Sequence, residues 1–169
     1  MNTSISASYT SSQGIAPDDK SNQYLTFLLG DEQYGVDILR VQEIRGWERA
    51  IPIPNTPDYV RGVINLRGSV IPIIELRRLF HKVAAPDSAT AVVVVVKVFT
   101  EDTEKTVGML VDAVSDVRNA GAADIKSAPD VEMGDSGFVT GLITLDQDMI
   151  ILLDIDRLLD NPSDQSAGQ

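Results

Sequence analysis

From residue 24 onward the chain alternates apolar and polar positions with a period of two, in short runs rich in valine and isoleucine, which predicts strands rather than helices. Residues 24–29 alternate and stop at Gly30-Asp31, a turn pair. Residues 33–38 resume with Tyr34, Val36 and Ile38 on one face and Asp37 on the other. Residues 60–66 run into Arg67-Gly68-Ser69, and residues 70–74 return as a hairpin partner. Pro72 cannot donate to a ladder, which predicts an edge position or a bulge. Residues 91–99, 107–111, 139–145 and 149–154 continue the pattern, and helix is confined to short turns near 38–42, 75–81 and 155–160. Many short strands between Gly, Pro and Asp turns predict a mainly β chain built of small barrels.

The pattern repeats. YVRGVINLRGSVIPIIELRRLF (59–80) aligns without a gap on FVTGLITLDQDMIILLDIDRLL (138–159), with seven of 22 positions identical, including Gly62/Gly141, Ile64/Ile143, Leu66/Leu145 and Ile71/Ile150. Upstream, YGVDILRVQEIR (34–45) aligns with VGMLVDAVSDVR (107–118) and pairs Gly35/Gly108, Val41/Val114 and Arg45/Arg118. Two units of this size, 34–80 and 107–159, bury too little surface to stand alone, so they are expected to share a core with a groove where they meet. The apolar partners persist between the copies, whereas Asn65 becomes Thr144, Arg67 becomes Asp146 and Gly68 becomes Gln147. Alternation puts Val63, Asn65 and Arg67 on the face away from Ile64 and Leu66. Arg67 beside a hairpin-tip glycine is either a solubilising turn residue or a carboxylate-binding fork.

Charge alters the picture more than composition does. With 14 Lys+Arg against 25 Asp+Glu the 169-residue chain carries −11, which disfavours nucleic acid and anionic bilayers as partners. The sign is unevenly spread: residues 40–82 hold eight basic against four acidic residues, residues 83–169 five against sixteen. This basic island is either solvated loop surface or a docking face for an acidic partner. Residues 1–22 are rich in Ser, Thr, Asn and Asp and read as a disordered lead-in, residues 161–169 as a flexible tail, and residues 23–160 as the folded part. No secretory or membrane-spanning pattern appears, so the chain is expected in the cytoplasm.

Catalytic chemistry finds little support. The absence of cysteine excludes thiolate sites and disulfides, and His81 is the single histidine. Gly134-Asp135-Ser136-Gly137 resembles a serine-protease nucleophile segment, and His81, Asp112 and Ser136 follow in protease order. Neither the following residues nor the surroundings of His81 continue that motif, and a Gly/Asp/Ser loop before a strand is ordinary turn chemistry. A hydrolase built on Ser136 is therefore the remote alternative. Asp146/Asp148 and Asp154/Asp156/Asp160 lack the register of a calcium loop, and Asp154 and Asp156 are placed to cap a terminal helix. No phosphate loop is present. The expectation is a binding protein with no metal and no cofactor.

The segments YLTFLLGDEQYGVDILRVQEIR, NTPDYVRGVINLRGSVIPIIELR, GMLVDAVSDV and TGLITL resemble the CheW-like family of bacterial chemotaxis coupling proteins over residues 23–159. The resemblance implies two intertwined SH3-like five-stranded barrels around a shared hydrophobic centre, so that the repeat halves need not equal the barrels. It implies no enzyme activity and no cofactor. The role implied is a scaffold that joins cytoplasmic chemoreceptor tips to the histidine kinase CheA, recruited to membrane-associated receptor arrays, with other copies there as further candidate partners; an adaptor of a pilus or gene-control pathway would share the fold. By position, Val41, Glu43 and Arg67 match receptor-engaging residues of the family. Gly62 matches a position whose change disturbs coupling, or is simply a strand glycine. Lys126 and Val131 fall where the family contacts the kinase regulatory domain, although the aromatic residue frequent near the latter is absent. Arg40, Arg45 and Arg61 are weaker candidates for the same acidic partner.

Overall fold

Where apolar alternation is strongest the chain forms strands, and the order in which they pair is set by the repeat. In a computed structural model, residues 22–80, 82, 89–127 and 137–160 are described. They form β1 (Asn22–Leu29), β2 (Glu32–Asp37), β3 (Val41–Gly46), β4 (Val60–Leu66), β5 (Ser69–Glu75), β6 (Val92–Phe99), β7 (Glu104–Val111), β8 (Ala113–Ala120), β9 (Ile125–Lys126), β10 (Val139–Leu145) and β11 (Asp148–Leu153). Two short helices, α1 (Leu76–Leu79) and α2 (Ile155–Asp160), follow β5 and β11. One sheet runs β8-β1-β2-β11-β10-β9 and the other β3-β6-β7-β5-β4.

Each sheet takes strands from both repeat copies. β2 of the first copy lies parallel to β11 of the second, with Gly35 opposite Leu152. β7 of the second copy lies parallel to β5 of the first, with Gly108 opposite Ile73. These are the same contact made twice with the copies exchanged, so the two β subdomains are intertwined and neither coincides with a repeat half. The register explains two of the paired glycines: a Cβ on Gly35 would meet Leu152 at 3.0 Å, and one on Gly108 would meet Ile73 at 2.6 Å. The short β9 brings the first sheet to six strands, and an isolated Ile51–Val63 bridge stands in its place in the second.

Three cores follow from this exchange. A central one joins Phe27, Val36, Leu76, Val94, Met109 and Leu158 with other residues of both sheets and both helices. Each subdomain adds its own: Leu66, Ile71 and Ile73 with Val93 and Val95 in one, and Ile143, Ile150 and Leu152 in the other. Ile71/Ile150 and Ile73/Leu152 are thus equivalent apolar positions serving equivalent cores. A ladder of rings, Phe27–Tyr34–Phe80–Phe138, runs through the centre with centroids 5.4–5.9 Å apart.

Several expectations change. β1 and β6 are buried on both faces over Leu25–Phe27 and Val93–Val96, because each sits inside a sheet against the shared core, so strict alternation fails there. Pro72 is not at an edge, since β5 lies between β4 and β7, and the irregularity in its ladder falls on the partner strand at Arg61, close to the Val63–Pro72 pair. Pro72 is tolerated because it faces Val63, whose N–H and C=O bond Ile51 on the far side, and because the ladder with β7 starts one residue later at Ile73. Arg67 does not lie on a strand face. It is the first residue of a two-residue hairpin turn, at φ 52°, followed by Gly68 at φ 91°. Val131, Ser136 and His81 lie outside the described residues, as do residues 1–21 and 161–169.

Candidate functional site

β3 and the β4–β5 hairpin form the most distinctive surface. They stand at opposite ends of one sheet, yet Arg67 at the hairpin tip reaches Glu43 on β3 in an ion pair, with Asn65 Oδ1 accepting from Gly68 N at 2.8 Å to fix the turn. Arg45 lies 3.9 Å from the other Glu43 oxygen. Arg67 remains 73% exposed, so this contact leaves most of its guanidinium facing solvent. Val41, at the start of β3, packs its side chain partly on the central core. Exposed apolar residues lie on the same elements: Ile44 on β3, Val70 just beyond the hairpin tip, and Leu39 in the 3-10 turn leading into β3.

The second copy repeats this construction with the charges exchanged. Asp146 occupies the hairpin tip at φ 56°, and Arg118 on β8 approaches it at 4.0 Å and Asp148 at 3.0 Å. Val117 and Met149 are exposed where Ile44 and Val70 are in the first copy. Both tips therefore need a residue that accepts a left-handed backbone, and both join a hairpin to an edge strand. One offers a guanidinium to solvent and the other a carboxylate.

Behind β3 the chain turns through Trp47 into a cavity of ≈ 230 Å³ lined by Arg45, Trp47, Arg49, Ile51, Asn65 and Val93, among others. Trp47 Nε1 is buried and finds no acceptor among the described residues. Arg61 lies over its ring at 5.1 Å while also bonding Glu75 Oε1 at 3.1 Å. Gly62 underlies this loop. It is buried, with φ +136°, and a Cβ there would sit 2.1 Å from the Ile51 carbonyl oxygen. Its side has no surface to offer a partner; it allows Ile51 and Val63 to exchange two backbone bonds of 2.9 Å. Gly141 plays the matching part beneath Lys126, where a Cβ would sit 2.8 Å from that residue's carbonyl oxygen. Lys126 is exposed on β9, in the other sheet from Glu43 and Arg67.

The basic island resolves mostly into internal pairing. Arg40 forms a bidentate pair with Asp156 at 2.6 and 2.7 Å and stacks over Phe99 at 4.5 Å. Arg77 grips Asp112 at 2.7–3.1 Å, and Arg61 and Arg78 share Glu75. The Arg40 guanidinium holds the Asp156 carboxyl below its ordinary range, against the upward push of burial and with help from the Phe99 N–H; Arg77 does the same for Asp112, with help from the Gly30 N–H. Arg40 and Arg61 are therefore committed elsewhere, leaving Arg45, Arg49 and Arg67 to face solvent. Asp154 accepts from the backbone N–H groups of Asp156 and Arg157 and starts α2, so it fulfils the capping role expected of it while Asp156 serves Arg40 instead. Among the described residues no group of three His, Asp or Glu side chains is arranged to hold a metal.

The exposed apolar residues and the loop at Trp47 escaped the sequence reading. The available signals were the lone tryptophan beside Gly46 and the apolar side chains in the otherwise polar stretches 39–44 and 113–119.

Comparison with known proteins agrees with this geometry. The family model described as a CheW-like domain matches residues 23–163. The chemotaxis protein CheW of Klebsiella aerogenes is 41% identical over 146 residues, 86% of each chain. That of Rhizobium meliloti is 36% identical over 86% of this chain and 92% of its own. The crystal structure of the scaffolding protein TtCheW from Thermoanaerobacter tengcongensis superimposes with a TM-score of 0.72 at 32% identity, covering 79% of this chain and 89% of that one.

Proposed function

The chain belongs to the CheW-like domain family, a family of non-enzymatic chemotaxis scaffolds, and we propose that its role is to couple the cytoplasmic tips of chemoreceptors to the histidine kinase CheA. The observation that carries this reading is the Glu43–Arg67 ion pair, which joins β3 to the β4–β5 hairpin tip and leaves the guanidinium largely exposed, with exposed apolar Ile44 and Val70 on the same elements and Leu39 in the turn before β3. A receptor tip is a helical hairpin. Its apolar ridge gains affinity from such side chains, and Arg67 and Glu43 set register and on-rate. Gly62 acts indirectly, by holding the loop through Ile51 beside Val63. Lys126, with Val131 beyond the described residues, supplies the kinase contact from the opposite subdomain, so both partners bind at once. Among the described residues no helix is long and apolar enough to cross a membrane. The scaffold works in the cytoplasm and reaches the membrane through the receptors.

The test is direct binding of the full chain to receptor-tip fragments and, separately, to the kinase regulatory domain. Arg67→Asp is expected to weaken receptor binding about tenfold, a loss of roughly 1.4 kcal/mol, and to leave kinase binding unchanged. Lys126→Glu should do the reverse. Binding of neither partner at micromolar concentration would overturn the proposal.

A further inference from the structure

Intertwining poses a problem of assembly, because the strands that must be exchanged are copies of one another. β5 and β11 carry the same apolar positions, and each lies parallel to a strand that presents a glycine to it, Gly108 or Gly35. Pairing each copy with itself, β5 against β2 and β11 against β7, would set Ile73 on Gly35 and Leu152 on Gly108. Apolar packing alone distinguishes the two arrangements poorly.

The two bidentate ion pairs at the strand ends do distinguish them. Arg77, on α1 after β5, pairs with Asp112 between β7 and β8. Arg40, between β2 and β3, pairs with Asp156 on α2 after β11. These are matching places: Arg77 and Asp156 align in the repeat, and Arg40 and Asp112 lie one aligned residue apart. Each aspartate also accepts from a backbone N–H at a strand end, Gly30 after β1 for Asp112 and Phe99 of β6 for Asp156. Both arginines belong to the first copy and both aspartates to the second. Every cross-copy pairing is therefore attractive, and every self-pairing would set Arg40 against Arg77 and Asp112 against Asp156.

We propose that the Arg77–Asp112 and Arg40–Asp156 clasps form an electrostatic code that directs each copy onto the other during folding and penalises the self-paired arrangement. The four side chains are 17–28% exposed, so their charges act through a partly desolvated environment and discriminate more strongly than surface pairs do. Self-paired units would be small, separate and poorly buried, and would associate with other chains.

A charge-exchange series tests the code apart from the bonds. Arg77→Asp with Asp112→Arg keeps both native clasps complementary but makes self-pairing attractive as well. Adding Arg40→Asp with Asp156→Arg keeps the native clasps complementary and makes self-pairing repulsive again. On refolding the full chain from urea, the expected result is a several-fold drop in native monomer for the two-residue exchange, read by gel filtration and amide NMR spectra, and recovery in the four-residue exchange despite its greater perturbation. Refolding yield that simply declines with the number of substitutions would overturn the proposal, as would undiminished yield in the two-residue exchange. The unmodified chain gives an independent reading: in 1 M sodium chloride, where charges are screened beyond ~3 Å, its refolding fidelity is expected to fall, and an unchanged monomer yield there would contradict the code.

Discussion

Gly62→Ala separates a positional role from a contact role at a buried residue beneath the loop through Ile51. The added methyl would stand 2.1 Å from the Ile51 carbonyl oxygen, far inside any real contact, and its neighbours there are backbone rather than a movable side chain. Relief requires Ile51 to withdraw, which breaks the two 2.9 Å bonds it exchanges with Val63. At about 1 kcal/mol net for each bond, with ~1–3 kcal/mol for holding alanine at φ +136°, the expected loss is about 3–5 kcal/mol, a large share of the ~5–15 kcal/mol available to a domain. Gly141→Ala is the internal comparison: its methyl would lie 2.8 Å from the Lys126 carbonyl, also backbone, but there is no left-handed backbone to hold, so the expected cost is smaller, about 2 kcal/mol. Urea unfolding followed by the fluorescence of Trp47, the single tryptophan, reads both, and its native emission reports the loop directly because Ile51 and Val63 line the same cavity. A cost for Gly62→Ala within about 0.5 kcal/mol of zero, or below that of Gly141→Ala, would refute the reasoning.

Other consequences follow from the ion pairs and the turn. Asp112 and Asp156 have folded-state pKa values below their unfolded ones, so the clasps stabilise fully above the ordinary carboxylate range near ~4 and lose that contribution as pH falls through the lower folded values. Asp156→Asn is therefore expected to lower stability at neutral pH and to flatten its decline in acid, as measured by urea midpoints across that range; a parallel curve would argue against it. Arg67→Asp should cost under about 1 kcal/mol, because Asp146 already holds the same turn in the other copy, and circular dichroism melting checks this. The Tyr34 hydroxyl is driven upward first by burial and then by the Glu32 carboxylate it bonds at 2.9 Å, so spectrophotometric titration should show it ionising only as the chain unfolds in alkali.

What could be read from the sequence was what burial imposes on side chains. The hairpin 60–74, with its counterpart 139–153, emerged from alternation because near the tip one face of each packs on the Ile71/Ile150 cores while the other meets water; only at the far end do Ile74 and Leu153 turn into the central core. β3 and β8 stayed hidden for the converse reason: both are edge strands with mostly exposed side chains, and Gln42, Glu43, Ser115 and Asp116 carry no apolar period. The repeat was legible as seven identities, but the exchange of strands between copies was not, since a local pattern is the same whichever partner it meets. Of the candidate site, the hairpin tip was marked by its residues and Glu43 only by the family resemblance. Their ion pair was not, because it joins positions 24 apart across a sheet whose closure depends on the whole fold. The basic island stayed open between two readings because linear charge density ignores Glu75, Asp112 and Asp156, which three-dimensional structure delivers to Arg61, Arg77 and Arg40.

The central claim is that this molecule works by holding two partners together. Reconstituting receptor-containing membranes with the kinase, with and without this chain, and measuring phosphate incorporation into the kinase addresses it most directly. The account predicts that the chain raises receptor-controlled kinase activity and that Arg67→Asp shifts the gain to about tenfold higher chain concentration while the variant still binds the kinase. Kinase activity that is indifferent to the chain, at concentrations where it is folded and in excess, would contradict it.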